Sequence, residues 1–280
     1  MNSKEAKIVI FSDLDGALLN ENYDFQTSKQ IIDQLLVLNV SIVFCSSKTE
    51  AEIEFYRKEL GIDDPFISEN GSAIFIPRGY FQFDYSFTRQ TEKYNIIELG
   101  TAYSVVREKL DKVTKSVGAK IVGFGDMTEE EIAKDSGLPL ELAKLAKTRH
   151  YDEPFRVIEG NGNEVLDSIV AEGLRYTKGG RYFHIMGNSD KGKAAGILKD
   201  LYAKGFSELV TFGLGDSPND ASMLEVVDVP ILLRKTRRET ECYTVWTDVL
   251  NKICDALSSK TTRQKDECCL QVDKSKTIFK

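Results

Sequence analysis

The segment Ile8-Val-Ile-Phe-Ser-Asp-Leu-Asp-Gly-Ala-Leu-Leu19 constrains the fold more than any other stretch of the chain. Its apolar, β-branched start reads as a strand buried on both faces, the habit of a parallel sheet covered by helices. The run stops at two carboxylates, Asp13 and Asp15, followed by Gly16. Open α/β sheets bind ligands at the carboxyl ends of their strands. Residues i and i+2 of an extended segment point the same way, so the two acids repel and need compensation. A divalent metal supplies it. An acidic turn that only ends the strand, with Gly16 as its bend, is the structural alternative.

The chain's 280 residues allow one large domain or two modest ones, and 41% hydrophobic residues suffice for a real core. A net charge of −7 argues against nucleic acid or an anionic membrane as the main partner. No apolar run approaches transmembrane length, and the residues before the first strand carry no signal-peptide core. The cysteines, Cys45, Cys242, Cys254, Cys268 and Cys269, form no CxxC pair. A reducing, cytoplasmic setting is expected, rather than a disulfide framework or a zinc site.

Strand and helix patterns alternate in the first half. Ile31, Ile32, Leu35, Leu36 and Leu38 recur at helical spacing, and Ser41 to Cys45 reads as a second strand. Thr49-Glu-Ala-Glu52 opens a further helix as a capping box, with Gly61 as its stop. Short strands flank the turn Glu69-Asn70-Gly71. Such alternation predicts a doubly wound parallel sheet. From about residue 83 the interleaving is less regular, which suggests an inserted α+β unit. The α/β pattern resumes with an amphipathic helix from Lys191 and a strand from Leu209 to Leu214, which ends at Gly215-Asp-Ser-Pro-Asn-Asp220. The expected organisation is a core of residues 1–82 and 187–257, a cap of 83–186, and a polar tail of 258–280.

Four segments therefore sit at strand ends or helix starts: Asp13-Leu-Asp15, Ser46-Ser47-Lys48, Asp190-Lys191-Gly192 and Gly215 to Asp220. Carboxylates from two loops suit a hard cation such as Mg2+, and a hydroxyl with a lysine suits a phosphoryl group. A carboxylate can also attack phosphorus and form an aspartyl-phosphate. Taken singly, each segment has a structural reading. Lys191 caps or solvates a helix, Ser46 serves a turn, and Asp216 with Asp220 forms an Asx-rich helix start around Pro218.

Together, and in this order, the four segments resemble the motifs of haloacid dehalogenase superfamily phosphatases. That resemblance implies a Rossmann-like core, an inserted cap and dependence on Mg2+. It makes Asp13 the nucleophile and Asp15 the general acid and base, whose carbonyl also faces the metal. Ser46 and Lys191 hold the phosphoryl group, and Asp216 and Asp220 complete the metal site, with Asn219 assisting. Phe44 to Thr49, Ser68 to Gly71, Arg149 with Asp152 to Phe155, and Gly179 to His184 resemble the mannosyl-3-phosphoglycerate phosphatase family more closely. That closer resemblance implies a phosphorylated glycoside as the small-molecule substrate. Arg149 and Arg181 become carboxylate anchors, Lys48, Asn70 and His184 polar contacts, and Glu153 an acceptor for sugar hydroxyls. The arginines also read as surface charges and His184 as a core histidine. A glucosyl-3-phosphoglycerate, another sugar phosphate, or a weakly active binding module are the rival readings.

One residue departs from the pattern. Ala17 stands where the superfamily carries threonine. Losing one neutral hydrogen bond costs roughly 0.5–1.5 kcal/mol, which puts the hold on Asp15 in question.

Overall fold

The computed structural model describes residues 6–20, 23–233 and 239–260. The chain begins β1 (Ala6–Ser12), α1 (Gln26–Val37), β2 (Ser41–Phe44), α2 (Glu50–Leu60), β3 (Phe66–Ser68) and β4 (Ala73–Pro77), then β5 (Arg89–Gln90) and β6 (Tyr94–Glu98). The middle runs α3 (Tyr103–Val117), β7 (Lys120–Gly123), α4 (Glu129–Ser136), α5 (Leu140–Ala146), β8 (Glu153–Glu159), α6 (Gly162–Ala171), β9 (Arg175–Gly179) and β10 (Tyr182–Met186). The chain then follows α7 (Lys191–Gly205), β11 (Glu208–Gly215), α8 (Ala221–Val226), β12 (Val229–Leu232) and α9 (Glu239–Lys260).

A parallel sheet of order β12-β11-β1-β2 forms the centre, with β1 between β11 and β2. Strict alternation along β1 sends its side chains to opposite faces. Ile10 packs with Phe44, Ile31, Leu35, Trp246 and Ile253, under α1 and α9. Val9 and Phe11 pack with Val43, Ala194, Leu198, Tyr202 and Met223, under α7 and α8. Helices thus cover both faces, and the core is doubly wound. The apolar run that opens the chain is buried on both sides for this reason.

β3 continues the sheet edge through a single parallel bridge, Cys45 to Ile67. It also starts an antiparallel sheet of order β3-β4-β6-β5. This ladder carries the first core segment to Glu98, so the boundary drawn at residue 82 falls inside it. A third sheet, β7-β8-β10-β9, is antiparallel throughout and packs α3 and α6 through Val106, Leu110, Phe155, Val165, Ile169 and Ile185. This is the α+β cap. It meets the core along α5 and α2, where the Thr49 hydroxyl donates to the Leu145 carbonyl at 3.0 Å while also capping α2.

Three helices escape the periodicity reading, α6, the short α8 and α9. The tail expected from residue 258 begins inside α9, and from residue 261 it lies outside the described residues. α9 matters for the loop after β1. Its Trp246 is fully buried and donates from Nε1 to the Ala17 carbonyl at 3.0 Å. Within the loop, Leu18 and Leu19 donate to the Leu14 carbonyl, and Gly16 donates to that of Leu19. The loop is thus tied at Ala17 by its backbone, without a threonine hydroxyl. Trp246→Phe removes the donor and strands a buried carbonyl, a cost of about 1–3 kcal/mol. The expected result is a lower urea midpoint; an unchanged midpoint would show that Ala17 needs no such tie.

Candidate active site

Parallel strands bring their carboxyl ends to one edge, and the four segments meet there. Asp13 follows β1, and its N–H donates to the Leu214 carbonyl of β11 at 2.9 Å. Lys191 opens α7, whose N-cap Asp190 accepts from the Lys193 N–H at 2.8 Å. The Lys191 ammonium is almost fully buried and lies 2.8 Å from Asp13 Oδ1 and 2.6 Å from Asp220 Oδ1. The other Asp220 oxygen accepts from the N–H groups of Asp216 and Ser217, both at 3.0 Å.

Asp13, Asp216 and Asp220 each place a carboxylate oxygen within 4.8 Å of the others, and all three are buried. Asp216 Oδ1 accepts from the Ser217 hydroxyl at 2.7 Å, whereas its Oδ2 is buried without any partner. An orphaned buried carboxylate oxygen in an all-oxygen donor set suits a hard divalent cation. Gly16 makes this approach possible: at φ +79° a Cβ there would lie 2.4 Å from Asp216 Oδ2. Burial pushes the Asp13 carboxyl up to about 7, against the pull of Lys191, with Asp220 and Asp15 adding to the rise. Lys191 is held firmly protonated by Asp13 and Asp220, which outweigh its burial.

Asp15 stands apart from this acid cluster. Its carboxylate is partly exposed and pairs with Lys48 Nζ at 3.1 Å. Lys48 is buried between Asp15 and Glu52 (3.6 Å) and beside the ring of Tyr23. Its charge is therefore already balanced by protein carboxylates, yet the side chain still borders a cavity of about 410 Å3. Asp13, Asp15, Lys48 and Asp216 line one side of that cavity, and Arg149, Arg181 and His184 of the cap line the other. Arg181 sits at the rim, donating to the carbonyls of Asp135 and Ser136 at the end of α4.

Five expected residues do not line the cavity: Lys191 and Asp220 lie beneath Asp13 in the buried ion pairs, and Ser46, Asn70 and Glu153 are set back from the wall. Ser46 is buried behind Ser47, and its hydroxyl accepts from the Lys48 N–H at 3.3 Å. Asn70 lies behind the wall, between Asp152 and Asn219. Glu153 faces away: its carboxylate accepts from the Tyr103 hydroxyl (2.7 Å), Arg107 (2.7 Å) and the Gly125 N–H (2.8 Å). Neighbours in an extended segment point to opposite sides, so the acid that meets the cap anchors is Asp152. Asp152 pairs with Arg149 and accepts from His184 Nδ1 at 3.0 Å. Strand alternation around Pro154 was the sequence signal that separates the two acids.

Glu69 also escaped notice. Its carboxylate accepts from the backbone N–H groups of His150, Tyr151 and Asp152, tying the start of β8 to the core. Burial pushes Glu69 up to about 7, with the charge of Asp152 adding to the rise. A carboxyl raised above its unfolded value favours folding fully below the unfolded pKa and loses that contribution as pH rises through 7. Glu69→Gln keeps an acceptor oxygen but cannot ionise. Relative to this variant, the native protein should lose about 1–3 kcal/mol between pH 5 and pH 8.5 by urea unfolding. A pH-independent difference would show that Glu69 does not titrate there.

A lysine between two aspartates, beside an acid cluster at the carboxyl edge of a doubly wound sheet, defines a class of phosphoryl-handling hydrolases. The chain belongs to the haloacid dehalogenase-like hydrolases, whose family model matches residues 10–241. Among curated relatives, the glucosyl-3-phosphoglycerate/mannosyl-3-phosphoglycerate phosphatase of Methanococcoides burtonii is 47% identical over 82% of this chain and 85% of its own length. The mannosyl-3-phosphoglycerate phosphatase of Pyrococcus horikoshii is 45% identical over 79% of this chain and 88% of its own. In fold, the chain is similar to a haloacid dehalogenase-like hydrolase from Bacteroides thetaiotaomicron (TM-score 0.59, 13% identity, 87% of this chain and 99% of the other). No helix among the described residues is long and apolar enough to cross a membrane.

Proposed function

We propose that the protein is a Mg2+-dependent phosphatase of mannosyl-3-phosphoglycerate, with the glucosyl compound as the second substrate. The observation that carries this reading is the cavity itself. It joins the phosphoryl chemistry of Asp13 and Asp216 to a cap wall bearing two guanidinium groups, which suit the carboxylate of a phosphoglycerate. That both relatives are phosphatases named for 3-phosphoglycerate glycosides supports the substrate class.

In this reading Asp13 attacks phosphorus, and the bond from phosphorus to the glycerate oxygen breaks. Asp15 gives its proton to that departing oxygen. It then takes a proton from water, which attacks the aspartyl-phosphate and frees inorganic phosphate. Lys191 holds Asp13 in place and offsets charge on the phosphoryl oxygens, with Asp220 fixing the lysine. Asp13, Asp216 and the Asp15 carbonyl would hold Mg2+, which would supply further neutralisation of the transferring group. Ser46 supports the phosphate-facing loop from behind, and closure of the cap excludes bulk water. The buried thiol of Cys45, in the middle of the core, supports a cytoplasmic setting.

The test is phosphate release, with and without Mg2+, from mannosyl- and glucosyl-3-phosphoglycerate beside simple sugar phosphates. A kcat/KM at least tenfold higher for the 3-phosphoglycerate glycosides is expected. Equal rates on simple sugar phosphates would overturn the assignment.

A further inference from the structure

Asp152, Asn70 and Asn219 form a hydrogen-bonded line from the cap to the fourth loop of the core. Asn70 Nδ2 donates to Asp152 Oδ2 at 2.8 Å, and Asn219 Nδ2 donates to Asn70 Oδ1 at 3.0 Å. The direction of these bonds is forced. Asp152 carries an ionised carboxylate, held low by Arg149 and His184, and so can only accept. Asn70 must then turn its Nδ2 to Asp152, which leaves its Oδ1 for the Nδ2 of Asn219. Asn219 consequently keeps Oδ1 as a buried acceptor with no partner, on a residue that lines the cavity.

The backbone that presents Asn70 is strained to do so. Glu69 and Asn70 both adopt left-handed conformations, at φ +45° and +58°. A non-glycine residue held there costs free energy and persists only where its surroundings over-determine it. Gly71, at φ +88°, completes the turn, and a Cβ there would lie 2.1 Å from the Asp190 carbonyl. The turn is therefore pressed against the start of α7, next to Lys191.

Resting on the proposed phosphatase reading, we propose that Asp152 and Asn70 are positioning residues. They set the polarity and place of Asn219, so that its Oδ1 accepts from a hydroxyl of the glycoside while Arg149 and His184 stay aligned with the acid cluster. The site then recognises a donor at that point only when the cap is seated. Neither residue touches the reacting atoms.

Two variants test this. Asp152→Asn lets the line reverse its donor direction. Asn70→Gly tolerates the left-handed backbone but cuts the line. Both should raise KM for mannosyl-3-phosphoglycerate about tenfold or more. Turnover of p-nitrophenyl phosphate, which has no glycoside for the cap to grip, should stay within about twofold of native. Amide hydrogen exchange across Gly215 to Asp220 should quicken in both variants without any substrate. Equal losses on the two esters, or unchanged exchange in that loop, would overturn the positioning role. If the native enzyme cleaves p-nitrophenyl phosphate and not the glycoside, the substrate assignment fails. The exchange measurement then decides the line from Asp152 to Asn219 by itself.

Discussion

Lys191→Met should destabilise the protein by about 3–5 kcal/mol at pH 8, and should also abolish turnover. Lys191 is the cation between Asp13 and Asp220, and all three side chains are buried. Methionine fills similar space but leaves the carboxylates facing each other without a counter-charge. Removing one partner of a buried ion pair typically costs this much, because the remaining charge cannot reach water. The cost should shrink at lower pH. Without Lys191 the acids hold protons more strongly, since the lysine is what pulls Asp13 down against burial. Protonation therefore relieves the variant as pH falls, and the gap to native should narrow between pH 8 and pH 5. Urea unfolding at both values checks this. A pH-independent gap, or one below about 1 kcal/mol at pH 8, would mean that the cluster is more solvated than its burial indicates.

Asp13→Asn should have the opposite profile, a loss of about 10^3-fold or more in kcat with little loss of stability. The amide keeps the shape of the carboxylate but cannot form an acyl-phosphate. Lys191 retains Asp220 as its partner, and one of three mutually repelling buried carboxylates is gone. The metal-free variant should melt at or above the native temperature. Phosphate release within tenfold of native would place the nucleophile elsewhere. A large fall in melting temperature would mean that Asp13 is held mainly for structure.

Much of the core could be read from local pattern, because local chemistry decides it. The run Ile8 to Phe11 is apolar on both faces, and only a doubly covered sheet accepts that. Capping boxes at Thr49 and Thr128 announce α2 and α4 in the residues that satisfy the first turn of each helix. Other elements left weaker marks. α6 is a ten-residue helix that the reading of the sequence leaves unassigned; α3 and the cap sheet give its Val165, Leu166 and Ile169 a face to bury. α9 is decided by Trp246, Val249, Leu250 and Ile253 docking on α1, a partner more than two hundred residues away.

The site divides in the same way. The types and order of Asp13, Asp15, Lys191, Asp216 and Asp220 point to phosphoryl chemistry before any fold is known, because few other reactions need them together. By itself the sequence determined a parallel sheet whose carboxyl edge carries these groups. Tertiary structure alone decided which side chains are free to act and which are already engaged. Lys48 is spent on Asp15 and Glu52, Glu153 on Arg107 and Tyr103, and Ala17 is held through a tryptophan at the far end of the chain. The reason is physical. A residue's chemistry belongs to its own side chain, whereas its availability depends on which donors and charges other segments bring within hydrogen-bond reach.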